Sequence, residues 1–229
     1  MKMELAKITE WLDETLNVRG TADVSNNGIQ IAREGEEVRK AAFGVDASLA
    51  FLQEAAEWGA ELAVVHHGIS WGGGIKRIEG GMFRVVKSAI DANIALYAVH
   101  LPLDAHPVLG NNAGIARKLN LRDTKRAFTY HGVTIGLTGI APDGRKIGVC
   151  SGGAAEFAED AKRLGCDVFV TGEANWAEKI AAQNCGMEME LWGHYESEVF
   201  GVQALAEAVG EKFGIETRFI CTTRQAQKG

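Results

Sequence analysis

Proline is nearly missing from this chain, 3 residues in 229, and histidine and cysteine are sparse at six and four. With so little proline, the 28 glycines, well above an ordinary share of about 7%, do not form a low-complexity linker; they mark many separate turns. The cysteines Cys150, Cys166, Cys185 and Cys221 contain no C-x-x-C and stand 16, 19 and 36 residues apart, which matches no zinc finger or ribbon. They read as buried thiols in a reducing compartment. A basic excess is also absent: 24 Lys plus Arg against 30 Asp plus Glu leave a net charge of −6, which argues against a dedicated nucleic-acid binder. No apolar run approaches the roughly 18 residues of a membrane span. Residues 1–16 are charged and amphipathic without an apolar h-region, so no signal peptide is expected. The expectation is a soluble, cytoplasmic protein with no membrane contact. The G-x-S-x-G of serine hydrolases is missing as well, and no cysteine has a motif context, so neither nucleophile is called for.

What is present is a globular composition, 46% apolar and 24% charged, in which strand and helix patterns alternate. Leu5, Ile8, Leu12 and Leu16 recur at helical spacing. Lys40–Val45 reads as a strand, Ser48 as the cap of a helix over 49–58 closed by Gly59, and Leu62–Val65 as a strand running into His66-His67-Gly68. A helix over about 82–92 leads to a strand over 94–99 that ends at His100, and a helix over 112–119 follows. The second half replays this order: a strand over 146–150, a helix opened by Gly152-Gly153, a strand over 167–170 ending at Thr171-Gly172-Glu173, a helix over 174–183, a strand over 187–191, a helix over about 197–213 and a strand over 216–221. Short matches reinforce the replay. Gly44-Val45 with Ser48 answers Gly148-Val149 with Ser151, and Gly59-Ala60-Glu61-Leu62 answers Gly165-Cys166-Asp167-Val168. The expected class is α/β, two related lobes with flanking helices, spanning 1–125 and 126–229, with the C-terminal helix and strand packing back on the first lobe.

Chemistry concentrates at strand ends, where α/β folds gather functional groups. His66 and His67 end one strand; His100-x-x-x-Asp104 follows another; His194-x-x-x-Glu198 follows a third. If those segments turn helical, i and i+4 share a face. Imidazole with carboxylate suits Zn, Fe, Mn or Ni. His66, His67, Asp104, His194 and Glu198 make five ligands, with His100 as a sixth candidate. Five ligands with two carboxylates exceed one closed tetrahedral site and suit two ions with open positions for water, a catalytic pattern.

These motifs together resemble the NIF-three-like dinuclear metal proteins, usually named GTP cyclohydrolase 1 type 2 homologs. The resemblance rests on His66-His67-Gly68, the run from His100 through Asp104 and His106 to Gly110-Asn111-Asn112, Thr171-Gly172-Glu173, Gly193-His194-Tyr195-Glu196-Ser197-Glu198 and the turn Asn27-Gly28-Ile29-Gln30. It implies two similar α/β lobes with mixed sheets and a metal pair in the cleft between them. It implies His66, His67, Asp104, His194 and Glu198 as ligands, with Glu198 bridging, and a hexameric ring built as a trimer of dimers. At 229 residues the chain is similar to the short form without an inserted domain. It departs from the pattern in having Gly68 where many relatives have proline, and no histidine in 174–183.

The weaker candidates are His100 as a catalytic proton shuttle or partner of a ligand, Glu173 as a lining residue, and Gly152-Gly153 as a phosphate cradle or a plain turn. His106 and His131 read as loop residues, and Trp58, Trp71, Trp176 and Trp192 as core or interface anchors. The functional expectation is a metal-dependent hydrolase with two divalent ions per chain (Zn, Fe or Mn), metal-activated water and a nucleotide-like small-molecule substrate. The alternative is a non-catalytic metal-binding protein, a metal chaperone or regulatory partner. Nucleic acid as a partner is opposed by the charge.

Overall fold

In the computed structural model, which describes residues 1–223, the chain folds as two compact units. One comprises Met1–Pro102 together with the chain from Val202 onward; the other is Leu103–Gly201. Both are α/β with mixed sheets. Among the described residues no helix is long and apolar enough to cross a membrane.

The first unit is built on a five-stranded sheet in the order Glu216–Phe219, Lys40–Asp46, Leu62–His67, Ala95–Ala98, Gly28–Ile31. The first four strands are parallel and the last is antiparallel. The interiors of the central strands are apolar and buried, with polar residues only at the ends of the first two (Lys40, Asp46, His66 and His67), as suits parallel strands covered on both faces. Phe51, Leu52 and Ala55 of the helix Leu49–Trp58 and Val86 and Ala89 of the helix Gly80–Asp91 pack against the sheet. Ser48 caps the former by accepting from the Phe51 N–H at 3.2 Å, and Gly59 closes it at φ 78°, a left-handed conformation that costs glycine little. The helix Leu5–Thr15 buries Ile8 and Leu12.

The second unit carries another five-stranded sheet, ordered Glu188–Leu191, Val168–Thr171, Lys146–Cys150, Val133–Ile140, Arg122–Tyr130. Its first three strands are parallel and the hairpin 122–140 is antiparallel. One face packs Phe157, Ala158, Ala161 and Ala182; the other packs Ile115 over Ile147, Val149 and Val170. The hairpin turns through His131 and Gly132, both at positive φ, the twist that a two-residue β-hairpin loop favours. His131 is thus a turn residue. The helix His194–Phe213 starts in this unit and ends in the first.

The replay in the sequence has a structural counterpart. In the first unit Glu61 Oε2 accepts from the N–H groups of Arg39 and Lys40, both at 2.8 Å, and Lys40 Nζ bonds the Trp58 carbonyl. In the second, Asp167 Oδ2 accepts from the Lys146 N–H at 2.8 Å and Lys146 Nζ bonds the Leu164 carbonyl. Gly59 and Gly165 both sit at positive φ. In each case the acid before one strand clamps the start of its parallel neighbour.

Some boundaries move. Gly152-Gly153 does not open a helix: a 3₁₀ turn over Ala155–Phe157 precedes the helix Ala158–Arg163. The last helix starts at His194 rather than near 197, because the Ser197 N–H already bonds the Gly193 carbonyl at 3.0 Å. Trp176 is not a core residue; it is 77% exposed on the first turn of the helix Trp176–Cys185.

Candidate metal centre

In the first unit the strand register places Asp46 opposite His67, and His67 Nδ1 bonds Asp46 Oδ1 at 2.8 Å. His66, fully buried, bonds the Val99 carbonyl through Nδ1 at 3.0 Å. His100 follows the strand Ala95–Ala98; its N–H donates to Asn27 Oδ1 at 2.9 Å and its Nδ1 bonds Asp23 Oδ1 at 3.0 Å. Adjacent strand residues normally face opposite ways, yet the rings of His66 and His67 lie 4.6 Å apart at the strand end, with His100 at 5.1 and 5.7 Å from them. One ring nitrogen from each lies within 4.8 Å of the other two.

Two short segments hold this cluster. Asp23 accepts from His100, the Asn27 amide and the N–H groups of Ser25 and Leu101, at 2.9–3.0 Å. Burial alone would raise its pKa; the hydrogen bonds from His100, Asn27 and Ser25 outweigh that and hold the carboxyl at about 2. Gln30 ties down the loop after His67, its Oε1 accepting from Ile69 at 2.6 Å and Ser70 at 3.1 Å. A side chain at Gly68 would collide with Gln30 and with Ala98, which accounts for glycine at that position. Trp71 donates to the Gly68 carbonyl at 3.0 Å and lies edge-on to His100, 5.1 Å between centroids. It is part of the cluster's wall.

In the second unit His194 and Glu198 stand one turn apart on the first turns of their helix, with Nε2 3.3 Å from Oε1. His194 Nδ1 bonds Glu173 Oε1 at 2.8 Å. The hydrogen bond to Glu198, then the negative charges of Glu198 and Glu173, overcome partial burial and raise the His194 pKa to about 9. Asp104 ends the short helix Leu101–Asp104. Its Oδ1 accepts from Asn111 Nδ2 at 2.8 Å and Ser151 Oγ at 3.2 Å. Asn112 Oδ1 receives the Ser151 N–H at 2.8 Å, and Asn111 Oδ1 the Gly201 N–H at 2.7 Å. Next to Ser151, Gly152 sits at φ 69°, where a Cβ would strike the Glu198 carboxylate and crowd His194. The strand end 150–152 thus touches both acids, Asp104 through Ser151 and Glu198 through Gly152.

Gly152 is not a phosphate cradle. Its N–H donates to Ser197 Oγ at 2.9 Å and its carbonyl receives the N–H groups of Gly172 and Glu173. Its role is close approach. Cys150, fully buried, has its thiol pKa pushed well up by burial and by the charges of Asp104, Glu156 and Glu198, so no thiolate enters the donor set. His106 lies in a loop and accepts through Nδ1 from Val108 and Leu109; burial lowers its pKa.

The first unit therefore brings together His66, His67 and His100. The second pairs His194 with Glu198 and holds Asp104 on the same strand end. The site residues absent from the sequence reading are Asp23 and Asp46; Asn111 and Ser151 enter it only within motifs, with no role at the site. The Asn27–Gln30 turn is the one signal that points at the first, since Asn27 is its partner. The donor set fits a divalent ion: imidazoles locked through Nδ1 to oxygen acceptors are the usual preparation of Nε2 for metal. Asp104 and Glu198 are buried, 6% and 4% exposed, and carboxylates so placed are hydrogen-bonded, paired or metal-bound.

The same site residues lie within a match to the family model Duf34/NIF3 (NGG1p interacting factor 3), over residues 3–144 and 138–226. A protein of Archaeoglobus fulgidus named "GTP cyclohydrolase 1 type 2 homolog" is 39% identical over 242 residues, covering 95% of this chain and 98% of its own. Its namesake in Escherichia coli K12 is 33% identical over 243 residues with the same coverage. Among solved structures, protein ybgI, titled as of unknown function, superposes with a TM-score of 0.88 at 30% identity, covering 95% of this chain and 98% of that one. A Thermus thermophilus protein gives 0.82 at 30% identity, covering 96% and 98%. With two matched segments that span nearly all of its length, the chain belongs to the Duf34/NIF3 family.

Proposed function

We propose that the protein is a dinuclear metal-dependent hydrolase in which His66, His67, Asp104, His194 and Glu198 hold two divalent ions, Zn, Fe or Mn. The observation that carries this reading is the state of the donors. His66 and His67 each commit Nδ1 to an oxygen, and Asp104 and Glu198 are carboxylates kept from water. Bound there, such ions supply Lewis-acid polarisation and bring the pKa of water near neutrality. The chain's own residues orient the donors: Asp46 fixes His67, Asn111 and Ser151 fix Asp104, and Glu173 fixes His194. The name shared by the relatives supports a purine nucleotide as substrate and hydrolytic ring opening at an electrophilic carbon. The same kinship supports a hexameric ring built as a trimer of dimers, for which light scattering of the purified protein should give the mass of six chains.

Protein purified without chelators should carry about two ions per chain and hydrolyse GTP or a related nucleotide, and His67→Ala should lose both metal and turnover. Fewer than one ion per chain, or undiminished turnover in His67→Ala, overturns this reading.

A second reading, metal binding without turnover, has one observation in its favour. His194 Nε2 lies 3.3 Å from Glu198 Oε1, a pairing that raises the His194 pKa, so metal uptake competes with a proton and weakens in acid, as suits a labile carrier. Rapid metal exchange with no hydrolysis of nucleotides, phosphoesters or amides is the outcome that reading expects.

A further inference from the structure

The sequence admits His100 either as a proton shuttle or as a sixth ligand, and the geometry points to the latter: we propose that His100 binds metal with His66 and His67 as a three-imidazole set in the first unit, and that Asp23 is the residue that aims it. This rests on the reading of the site as a metal centre and adds a ligand and a positioning residue to it.

Two observations carry the proposal. The first is proximity. One nitrogen of each ring lies within 4.8 Å of the other two, so small side-chain rotations bring all three onto one ion. The second is a shared mode of attachment. His66 Nδ1 meets the Val99 carbonyl at 3.0 Å, His67 Nδ1 meets Asp46 Oδ1 at 2.8 Å, and His100 Nδ1 meets Asp23 Oδ1 at 3.0 Å. A carbonyl or an ionised carboxylate only accepts. Each Nδ1 therefore carries the proton, and in the neutral ring the lone pair resides on Nε2, the form that binds metal. His100 is prepared in the same way as its two neighbours.

Asp23 is built for that purpose. Its side chain is 2% exposed and receives four hydrogen bonds, two from side chains, His100 and Asn27, and two from backbone N–H groups, Ser25 and Leu101. The bond from Leu101 fixes the backbone next to His100, and the bond from the ring fixes its tautomer and plane. A carboxylate so satisfied cannot turn away from the imidazole without losing several bonds at once. Outer acceptors of this kind commonly contribute about 10–100-fold to metal affinity.

The test is cobalt binding by the full-length chain, stripped of metal and titrated with Co²⁺ against a competing chelator, with the visible d–d absorption recorded. The wild type should bind Co²⁺ with a spectrum of nitrogen-containing coordination. His100→Ala should change that spectrum and weaken binding. Asp23→Asn should keep the spectrum's shape and weaken affinity by about 10–100-fold. His131→Asn, in the hairpin turn, should match wild type. Wild-type binding with His100→Ala unchanged in spectrum and affinity overturns the sixth ligand alone and leaves the five-ligand centre standing. A wild type that takes up no Co²⁺ overturns both. If His100→Ala does not fold, Asp23→Asn decides, and an unchanged affinity in that variant contradicts the proposal.

Discussion

His194 Nε2 lies 3.3 Å from Glu198 Oε1 across one turn of a single helix, while the opposite ring nitrogen is bonded to Glu173 at 2.8 Å. Both partners are carboxylates, so the imidazolium is favoured and the pKa rises from 6.5 to about 9. A raised pKa contributes stability that is complete below the unfolded value and is lost as pH climbs through the folded one. Metal-free protein should therefore lose thermal stability between pH 6.5 and about 9 on account of this group, and Glu198→Gln should flatten that slope. In the same window, binding of Zn²⁺ should release a proton, measurable as a dependence of the calorimetric heat on buffer ionisation enthalpy. Heats that do not vary with buffer would contradict the pairing.

Gly152→Ala should disturb the site without replacing a donor. The residue sits at φ 69°, and the new methyl would meet the Glu198 carboxylate and His194. Left-handed strain for a non-glycine residue costs of order 1–3 kcal/mol, and the steric conflict adds to it. The expected result in urea unfolding is a loss of about 2 kcal/mol or more, accompanied by weaker metal binding. Wild-type stability would show that the turn relaxes and that glycine is not needed there.

Asn111→Ala removes two buried bonds at once, one to Asp104 Oδ1 and one from the Gly201 N–H. Leaving a buried polar group without its partner costs about 1–3 kcal/mol, so the variant should lose about 3 kcal/mol and bind metal less tightly, while Asn111→Asp should fare worse because it sets a second negative charge beside Asp104. Equal stability of the two variants would argue that the amide is not oriented as described.

Cys150 should be inert. It is buried beside Asp104 and Glu198, with its thiol pKa driven well up, whereas Cys221 is exposed. A thiol reagent at mildly alkaline pH should label Cys221 first and reach Cys150 and Cys166 only with unfolding. Fast labelling of Cys150 in the folded protein, seen by peptide mass mapping, would place a reactive thiol where none is expected.

The parts of this site that depend on local periodicity were legible in the sequence. The i, i+4 spacing of His194 and Glu198 anticipates a shared helix face, and the apolar run 62–65 anticipates a strand that delivers His66 and His67. Ser48 and Gly59 bracket their helix as capping chemistry requires. What stayed hidden depends on distant register. Asp46 reaches His67 only because two parallel strands align them, and Asp23 reaches His100 across 77 positions of chain. The outer strand of the hairpin 122–140 escaped because it is an exposed polar edge from Arg122 to Arg126, with positive φ at Asp123 and Phe128, so no alternation of apolar residues marks that strand. Gly152-Gly153 admits either an anion-binding or a plain turn, because a glycine pair says that backbone comes close to something, without saying to what.

The central claim is a two-ion centre, and counting metal tests it most directly. Full-length protein prepared without chelators, and separately reloaded with Zn²⁺, Fe²⁺ or Mn²⁺, should show about two ions per chain by elemental analysis and native mass spectrometry, falling in His67→Ala and in Glu198→Gln. Fewer than one ion per chain under every loading condition, or a count that those two substitutions leave unchanged, would contradict it.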